Sequence, residues 1–366
     1  MLAEKKVEPN MKEFNRRGFL QTLGLTGGLL VSGSMDSASR ASSKQIKPIL
    51  GSWFEFQHHN IKEGVPWNPA CAAFTCGQWD AKVKEISDLG MQYLVLLCAA
   101  LHFKAFYRTQ IFPPFRITCD DPVEAVLTAA DKYGVKFFIG GGFYGKWDSP
   151  DILSDATAAR KRLQAIEELA KLYGSHPSFY GWYWPNEAFI NPYYSDEFIQ
   201  YVNKCSGLAR SLTPRARILI APYGTRIARP DDKYVRQLEQ MDVDIIAYQD
   251  EVGVRKSKVD ETPAFYEGLK KAHARVPRVA IWADVEIFEF AGKVYESALL
   301  PAPFQRVRRQ LEAVSPFVDT TLVYQYQGMM NKPDSVAFAG PQESTQLYSD
   351  YEEWLRKTHP TMLKGN

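Results

Sequence analysis

Short apolar runs that alternate eight times with longer segments of helical period predict one parallel (β/α)8 barrel, an α/β fold of the TIM-barrel class, behind an N-terminal address segment. Two further observations support this fold class. No Pro/Gly/Ser-rich stretch wide enough to act as a linker divides the chain after residue 47. The first strand is followed by Gln57-His58-His59-Asn60 rather than by the glycine-rich phosphate turn that opens a doubly wound sheet.

The elements follow in order. Residues 1–41 carry Asn15-Arg16-Arg17-Gly18-Phe19-Leu20-Gln21, a weakly apolar stretch to Val31 and small residues up to Ala41, the pattern of a twin-arginine signal peptide. Its apolar stretch is about a dozen residues, against about 20 for a bilayer-spanning helix, so no stable membrane span is expected. The expected history is export in the folded state through the twin-arginine (Tat) translocon, leaving residues 42–366 as a periplasmic or secreted barrel domain.

The expected strands cover 49–56, 92–97, 136–140, 179–184, 217–221, 244–248, 279–283 and 321–326. Amphipathic helices are expected at 78–89, 123–132, 154–173, 195–212, 232–241, 263–274, 304–314 and 344–357. Asp121-Pro122 and Thr262-Pro263 are start signals, because proline pre-sets the first-turn φ and lacks only an N–H that a helix start leaves orphaned. Gly140-Gly141-Gly142 has no phosphate-cradling spacing and predicts a tight turn. The five cysteines show no CxxC pair, which argues against a zinc cage. Buried free thiols are the expected state of the cysteines; the alternative is a Cys71–Cys76 bridge across a loop in an oxidising compartment.

Composition narrows the partners. The 366 residues are 45% apolar and 13% aromatic, which excludes a disordered chain. With 44 Lys and Arg against 42 Asp and Glu, the net charge is only +2, and no dense basic stripe exists to hold nucleic acid or an anionic membrane. A neutral or mixed-polarity substrate fits better.

In a barrel of this kind the site lies at the carboxyl ends of the strands, so the residues that end each strand carry the chemistry. The fourth strand ends Trp184-Pro185-Asn186-Glu187, where aromatic neighbours can desolvate Glu187 and raise its pKa toward that of a general acid. The seventh ends Trp282-Ala283-Asp284-Val285-Glu286. If extended geometry persists, alternation puts Trp282, Asp284 and Glu286 on one face, with Glu286 the expected second carboxylate and Asp284 and Glu289 its competitors for that role. The sixth ends Tyr248-Gln249-Asp250-Glu251, in which Asp250 is an alternative second carboxylate. Trp53 and Glu55 from the first strand, Tyr144 after the third, and Tyr326 and Gln327 after the eighth complete the expected substrate-binding set with Trp184, Asn186, Tyr248, Gln249, Glu251, Trp282 and Asp284.

Aromatic faces beside amides and carboxylates suit a sugar, because indole and phenol rings stack on pyranose C–H faces while the polar groups bond the hydroxyls. Other chemistries find no pattern here. GxSxG and HExxH are absent, as are the flavin and nicotinamide fingerprints, so no metal and no cofactor are expected. Adjacent His58 and His59 would point to opposite sides of a strand and so would not chelate one ion.

The strand-four Trp184-Pro185-Asn186-Glu187, with a carboxylate ending strand seven, resembles the retaining glycoside hydrolases of clan A, in which the glutamate of Asn-Glu is the acid/base. The wider set, Gly181-Trp182-Tyr183-Trp184-Pro185-Asn186-Glu187, Tyr248-Gln249-Asp250-Glu251-Val252-Gly253, Trp282-Ala283-Asp284-Val285-Glu286 and Tyr324-Gln325-Tyr326-Gln327-Gly328, is similar to the barrel family DUF4434 over roughly residues 47–357. The resemblance implies a glycoside or oligosaccharide substrate, Glu187 as acid/base and Glu286 as nucleophile, with retention of configuration. A non-catalytic sugar-binding barrel and an exported lyase or esterase acting on a glycan are the rival readings.

Overall fold

The computed structural model describes residues 46–363; the twin-arginine segment expected over residues 1–41 lies outside them. Eight parallel strands close into a barrel: β1 Gly51–Phe54, β2 Tyr93–Leu96, β3 Lys136–Gly140, β4 Phe179–Tyr183, β5 Arg217–Ile220, β6 Ile245–Gln249, β7 Ala280–Glu286 and β8 Thr320–Tyr324. Gly51 closes the ring, pairing with Tyr93 on one side and Leu322 on the other. The helices are α1 Cys76–Asp88, α2 Pro122–Tyr133, α3 Ala156–Tyr173, α4 Asp196–Leu212, α5 Asp232–Gln240, α6 Thr262–His273, α7 Phe304–Val314 and α8 Ser344–Thr358. Every strand and helix expected from the sequence is present. Among the described residues, no helix is long and apolar enough to cross a membrane.

Local chemistry sets the helix starts. Thr75 and Gln78 form a reciprocal capping box on α1. Asp121, Asp155, Ser195 and Asp231 accept from the first-turn N–H groups of α2 to α5, satisfying donors that have no intrahelical partner. The Gly140-Gly141-Gly142 turn is tight: Gly142 has φ +92°, and a Cβ on Gly140 would lie 2.2 Å from the Leu96 carbonyl oxygen.

Besides two single-turn 3-10 helices, Thr225–Ile227 and Pro360–Met362, three short elements in the loops after strands were not expected. Asn68–Ala73 is a one-turn helix after β1, Ala100–Leu101 pairs with Lys104–Ala105, and Phe288–Phe290 pairs with Leu299–Pro301 after β7. The chief boundary difference is β7, which continues to Glu286 instead of stopping at 283 because both neighbours extend alongside it: Gln249 pairs with Asp284 and Tyr324 with Glu286.

The cysteine expectation is corrected. Cys76 is bonded to Cys119, with Cα atoms 5.0 Å apart, and Cys71 is a buried free thiol, as are Cys98 and Cys205. Cys76 is the first residue of α1 and Cys119 lies just before the α2 cap, so the bridge joins the starts of two neighbouring helices. Proximity in sequence did not decide the pairing; the packing of the helix ring did.

Candidate active site

Strand pleating sorts the residues at the mouth. On β7, Trp282 packs inside the barrel against Tyr93 of β2, ring centroids 4.9 Å apart, so Asp284 and Glu286 on the same face rise above it toward the mouth. On β4, Tyr183 faces the axis and meets Trp53 of β1 at 4.6 Å. On β6 the inward residue at the end of the strand is Gln249.

Asp284, Glu286 and Gln249 line one cavity of about 440 Å3. Glu187, Gln249, Glu251, Asp284 and Glu286 contribute to its wall, joined by Lys256, His59 and Tyr324. Tyr183 Oη donates to Glu187 Oε1 at 3.2 Å and Gln249 Nε2 donates to Oε2 at 2.9 Å. Protein crowds Glu187 although water reaches it at the mouth, and this desolvation pushes its pKa up to about 7 against the two hydrogen bonds and Lys256.

The β7 side is more deeply buried. Asp284 and Glu286 are each 3% exposed, and burial raises both carboxyls well above the ordinary range. The Trp53 indole eases the shift at Asp284, while repulsion from Glu187 and Asp250 adds to it. At Glu286, repulsion from Asp250, Asp284 and Glu251 adds to burial, opposed by the Val254 N–H, which donates to Oε2 at 2.8 Å. Asp284 Oδ1 and Glu251 Oε2 are buried without a hydrogen-bond partner. A site with unfilled acceptors at its floor is built for a ligand that brings hydroxyl donors.

A second layer holds the first. Glu55 Oε1 accepts from Trp67 Nε1 at 2.9 Å and Gln325 Nε2 at 2.6 Å, and His58 Nδ1 lies 3.0 Å from it. His58 Nε2 lies 3.0 Å from Glu63. Burial opposes a charge on His58, yet Glu55 and Glu63 outweigh it and push its pKa up to about 9; burial beside that cation drives His59 down to about 3. The ligand atoms of Glu55, His58 and His59 lie within 4.8 Å of one another, but both His58 nitrogens are committed to glutamates, so the hydrogen-bonded chain is Glu55–His58–Glu63 around an imidazolium, with His59 stacked beside it. The two histidines sit in a loop beyond β1 with rings 4.4 Å apart, not on opposite faces of a strand.

Several expected substrate-binding residues are elsewhere. Trp184, 1% exposed, donates to Ser206 of α4; Tyr248, fully buried, meets Tyr234 of α5 and His273 of α6; and Tyr326 reaches Glu85 of α1. All three point outward into the helix layer and cannot touch a ligand at the mouth. Tyr144, 3% exposed, stacks on Phe112. Trp53 and Trp282 lie beneath the cavity as packing, and Gln327 donates to the Glu55 carbonyl. Asp250 stands behind β7: it accepts from the Glu286 and Val252 N–H groups, both at 3.2 Å, and from Gln310 Nε2 at 2.7 Å. It positions the Glu286 backbone and does not face the cavity.

Asn186 lines an adjoining cavity of about 410 Å3, which shares Glu187, His59, Trp147 and Tyr223 with the first. Lys256 and the Phe288–Phe290 wall carry no motif; Tyr183 and His59 lie in strand-end segments that the sequence singles out, but neither is among the residues expected to bind substrate. A larger hollow of about 970 Å3 lies outside the ring between α7 and α8, lined by side chains such as Phe304, Arg308 and Trp354 and remote from the strand ends.

The family model of a domain of unknown function, DUF4434, matches residues 49–337. A candidate α-L-fucosidase of Bacteroides thetaiotaomicron shares the fold at a TM-score of 0.68 and 21% identity, over 90% of this chain and 99% of that one. The endo-1,4-β-mannanase of Rhizomucor miehei aligns at 0.50 and 10% identity, over 85% of this chain and 95% of its own. A GH2 β-galacturonidase of Eisenbergiella tayi aligns at 0.51 and 14% identity over 84% of this chain, which spans 51% of that longer one. At these identities the likeness is one of fold. No curated protein matches by sequence.

Proposed function

The chain belongs to the DUF4434 family, and from that premise we propose that it is an exported glycoside hydrolase that cleaves its substrate with Glu187 as acid/base and Glu286 as nucleophile. The observation that carries this reading is the presence, on the wall of one cavity at the strand ends, of a glutamic acid tuned to about 7 and a buried carboxyl pair. A carboxyl of that pKa still holds its proton near neutrality and can deliver it to a leaving oxygen. The glycosidase names of structures sharing the fold support the substrate class.

Glu187 protonates the glycosidic oxygen while Glu286, oriented by the Val254 N–H, attacks the anomeric carbon. The repulsion among Asp250, Asp284 and Glu286 keeps a proton in the cluster. Because the nucleophile must be ionised to attack, this mechanism requires that the proton sit on Asp284 or Asp250 and not on Glu286. Positive charge developing on the ring relieves that repulsion, so the cluster favours the oxocarbenium-like transition state over the neutral substrate. Water then attacks with Glu187 as base, giving retention.

Export through the Tat translocon to the periplasm or beyond follows from Arg16-Arg17, and the Cys76–Cys119 bridge fits an oxidising compartment. The deciding experiment is Glu187→Gln assayed against a panel of aryl glycosides and envelope oligosaccharides. Hydrolysis of unactivated substrates should fall by about 100-fold or more with sugar binding retained. Unchanged turnover removes Glu187 from the mechanism.

A further inference from the structure

The two cavities at the mouth meet along a rim formed by Glu187, His59, Trp147 and Tyr223. Glu187 belongs to both, with Asp284 and Glu286 only in the first and Asn186, Pro185 and Phe143 only in the second. A general acid must reach the oxygen between two sugar rings, so the ring being cleaved and the ring departing lie on either side of it.

The first cavity has a closed far side. The loop after β1 is tied to the ribbon after β7 by Asn60 Nδ2 donating to the Tyr295 carbonyl at 3.0 Å and by the Leu299 N–H donating to the Glu63 carbonyl at 3.1 Å. The loop after β6 is tied to the same ribbon through Arg255, which donates to the Phe290 carbonyl at 2.9 Å. Phe288, Phe290 and Leu299 form the wall these ties hold. The volume of about 440 Å3 is ample for a sugar ring, and it is the tied wall of Phe288, Phe290 and Leu299, not the volume, that stands in the way of a chain continuing on that side.

The second cavity has the features of a ring site as well. Trp147 stands at its edge, braced at 4.5 Å by His59, whose Nδ1 has no partner. Asn186 is 5% exposed beside the Tyr201 hydroxyl, and neither of its amide atoms makes a well-formed hydrogen bond. Buried polar atoms left open beside an indole are what a sugar hydroxyl and ring face would fill.

We propose that the second cavity is the leaving-group site and that the enzyme removes single terminal sugar residues, the terminal ring seated in the first cavity and the next ring in the second. This rests on the assignment of Glu187 and Glu286 above. The C1–O bond breaks as the Glu187 proton passes to that oxygen and a bond forms from Glu286 to C1. The departing sugar leaves the second cavity as a neutral alcohol. Water takes its place, gives a proton to Glu187 and displaces Glu286.

Glycosyl fluorides separate the two cavities, since fluoride occupies no sugar site and leaves without an acid. The wild type and Ser149→Trp, which pushes an indole into the second cavity from the loop after β3, are assayed on α-L-fucosyl, β-D-glucosyl, β-D-galactosyl, β-D-mannosyl and β-D-glucuronyl fluorides. Disaccharides with the same terminal sugars are assayed alongside, and a melting curve confirms that the variant folds. The expected result is a loss of about 100-fold in kcat/KM on the disaccharide and a change within about two-fold on the fluoride, with monosaccharide and trisaccharide the only initial products from a tetrasaccharide. Equal losses on both substrates, no loss on either, or early internal fragments from the tetrasaccharide overturn the proposal alone. A wild type that turns over neither fluorides nor disaccharides overturns the glycosidase reading, and the proposal with it.

Discussion

Tyr183 donates its hydroxyl to Glu187 Oε1 at 3.2 Å, a contact made within one strand end, while Gln249 on β6 grips the other oxygen. Both partners face the barrel axis, so the pleat that buries Tyr183 against Trp53 also aims the carboxyl. Tyr183 is therefore a positioning residue. Tyr183→Phe should lower kcat on unactivated glycosides by about 10-fold, leave KM nearly unchanged, and move the Glu187 limb of the pH profile upward, because a donor to the charged form is lost. An unmoved limb would assign the tyrosine to packing alone.

Glu187 sets a pH dependence of both activity and stability. Activity should fall as pH rises through about 7, and Glu187→Gln should lose that limb. Its pKa is higher folded than unfolded, so the folded state binds the proton more tightly and the ionised group costs stability. The cost grows as pH rises from the ordinary glutamate range to about 7, then levels off. Melting curves should find Glu187→Gln gaining on the wild type at pH 8 and not at pH 4, modestly because water reaches the carboxylate in the empty cavity.

Glu286 and Asp284 are separable by covalent trapping. A 2-deoxy-2-fluoro glycosyl fluoride of the accepted sugar should label wild type and Asp284→Asn, and leave Glu286→Gln unlabelled with kcat down by about 10,000-fold. Asp284→Asn should be slower by only about 10- to 100-fold, since an amide still donates to a hydroxyl. A label on Asp284 would exchange the two roles.

Much of this arrangement was legible in the sequence because a barrel couples chemistry to a simple positional rule. The eight alternations place Glu187, Asp284 and Glu286 at strand ends, and the period-two pleat puts the last two on one face. What failed was parity where the inward face has to be known in advance. Tyr248 and Asp250 share a face, but it is the outward one, and Gln249 and Glu251 face the cavity. Trp184 and Tyr326 fell to the same ambiguity, since an aromatic packed under a helix reads like one that stacks on a sugar. Lys256 was invisible because it comes from a loop, whose geometry follows no period, and for the same reason the strand rule misplaced the His59 ring.

His58 is a buried cation whose loss strands two glutamates. Its pKa rises from the ordinary histidine value to about 9 on folding, so its stabilisation is complete below about 6.5 and disappears as pH rises through 9. His58→Gln should therefore cost about 3 kcal/mol at pH 6, the scale for breaking a buried ion pair, with the gap to wild type narrowing by pH 9.5. Urea midpoints at the two pH values test this, and a gap that widens with pH would show that His58 is neutral in the native state.

The Cys76–Cys119 bridge encloses a separation of 43 residues that includes the insertion between β2 and α2. Chain entropy for a loop of that length predicts a loss of about 4 kcal/mol in Cys76→Ser/Cys119→Ser, and wild type with reductant should unfold at the same urea midpoint as the variant without it. The insertion carries Phe112, which stacks on Tyr144 at 5.9 Å, and Tyr144 directly follows Phe143 of the second cavity. Loosening the bridge should therefore blunt that cavity before the first. At urea concentrations too low to unfold the barrel, the double variant should lose disaccharide turnover while fluoride turnover holds. Parallel loss of both would mean that the bridge supports the barrel as a whole and not the wall beside the leaving sugar.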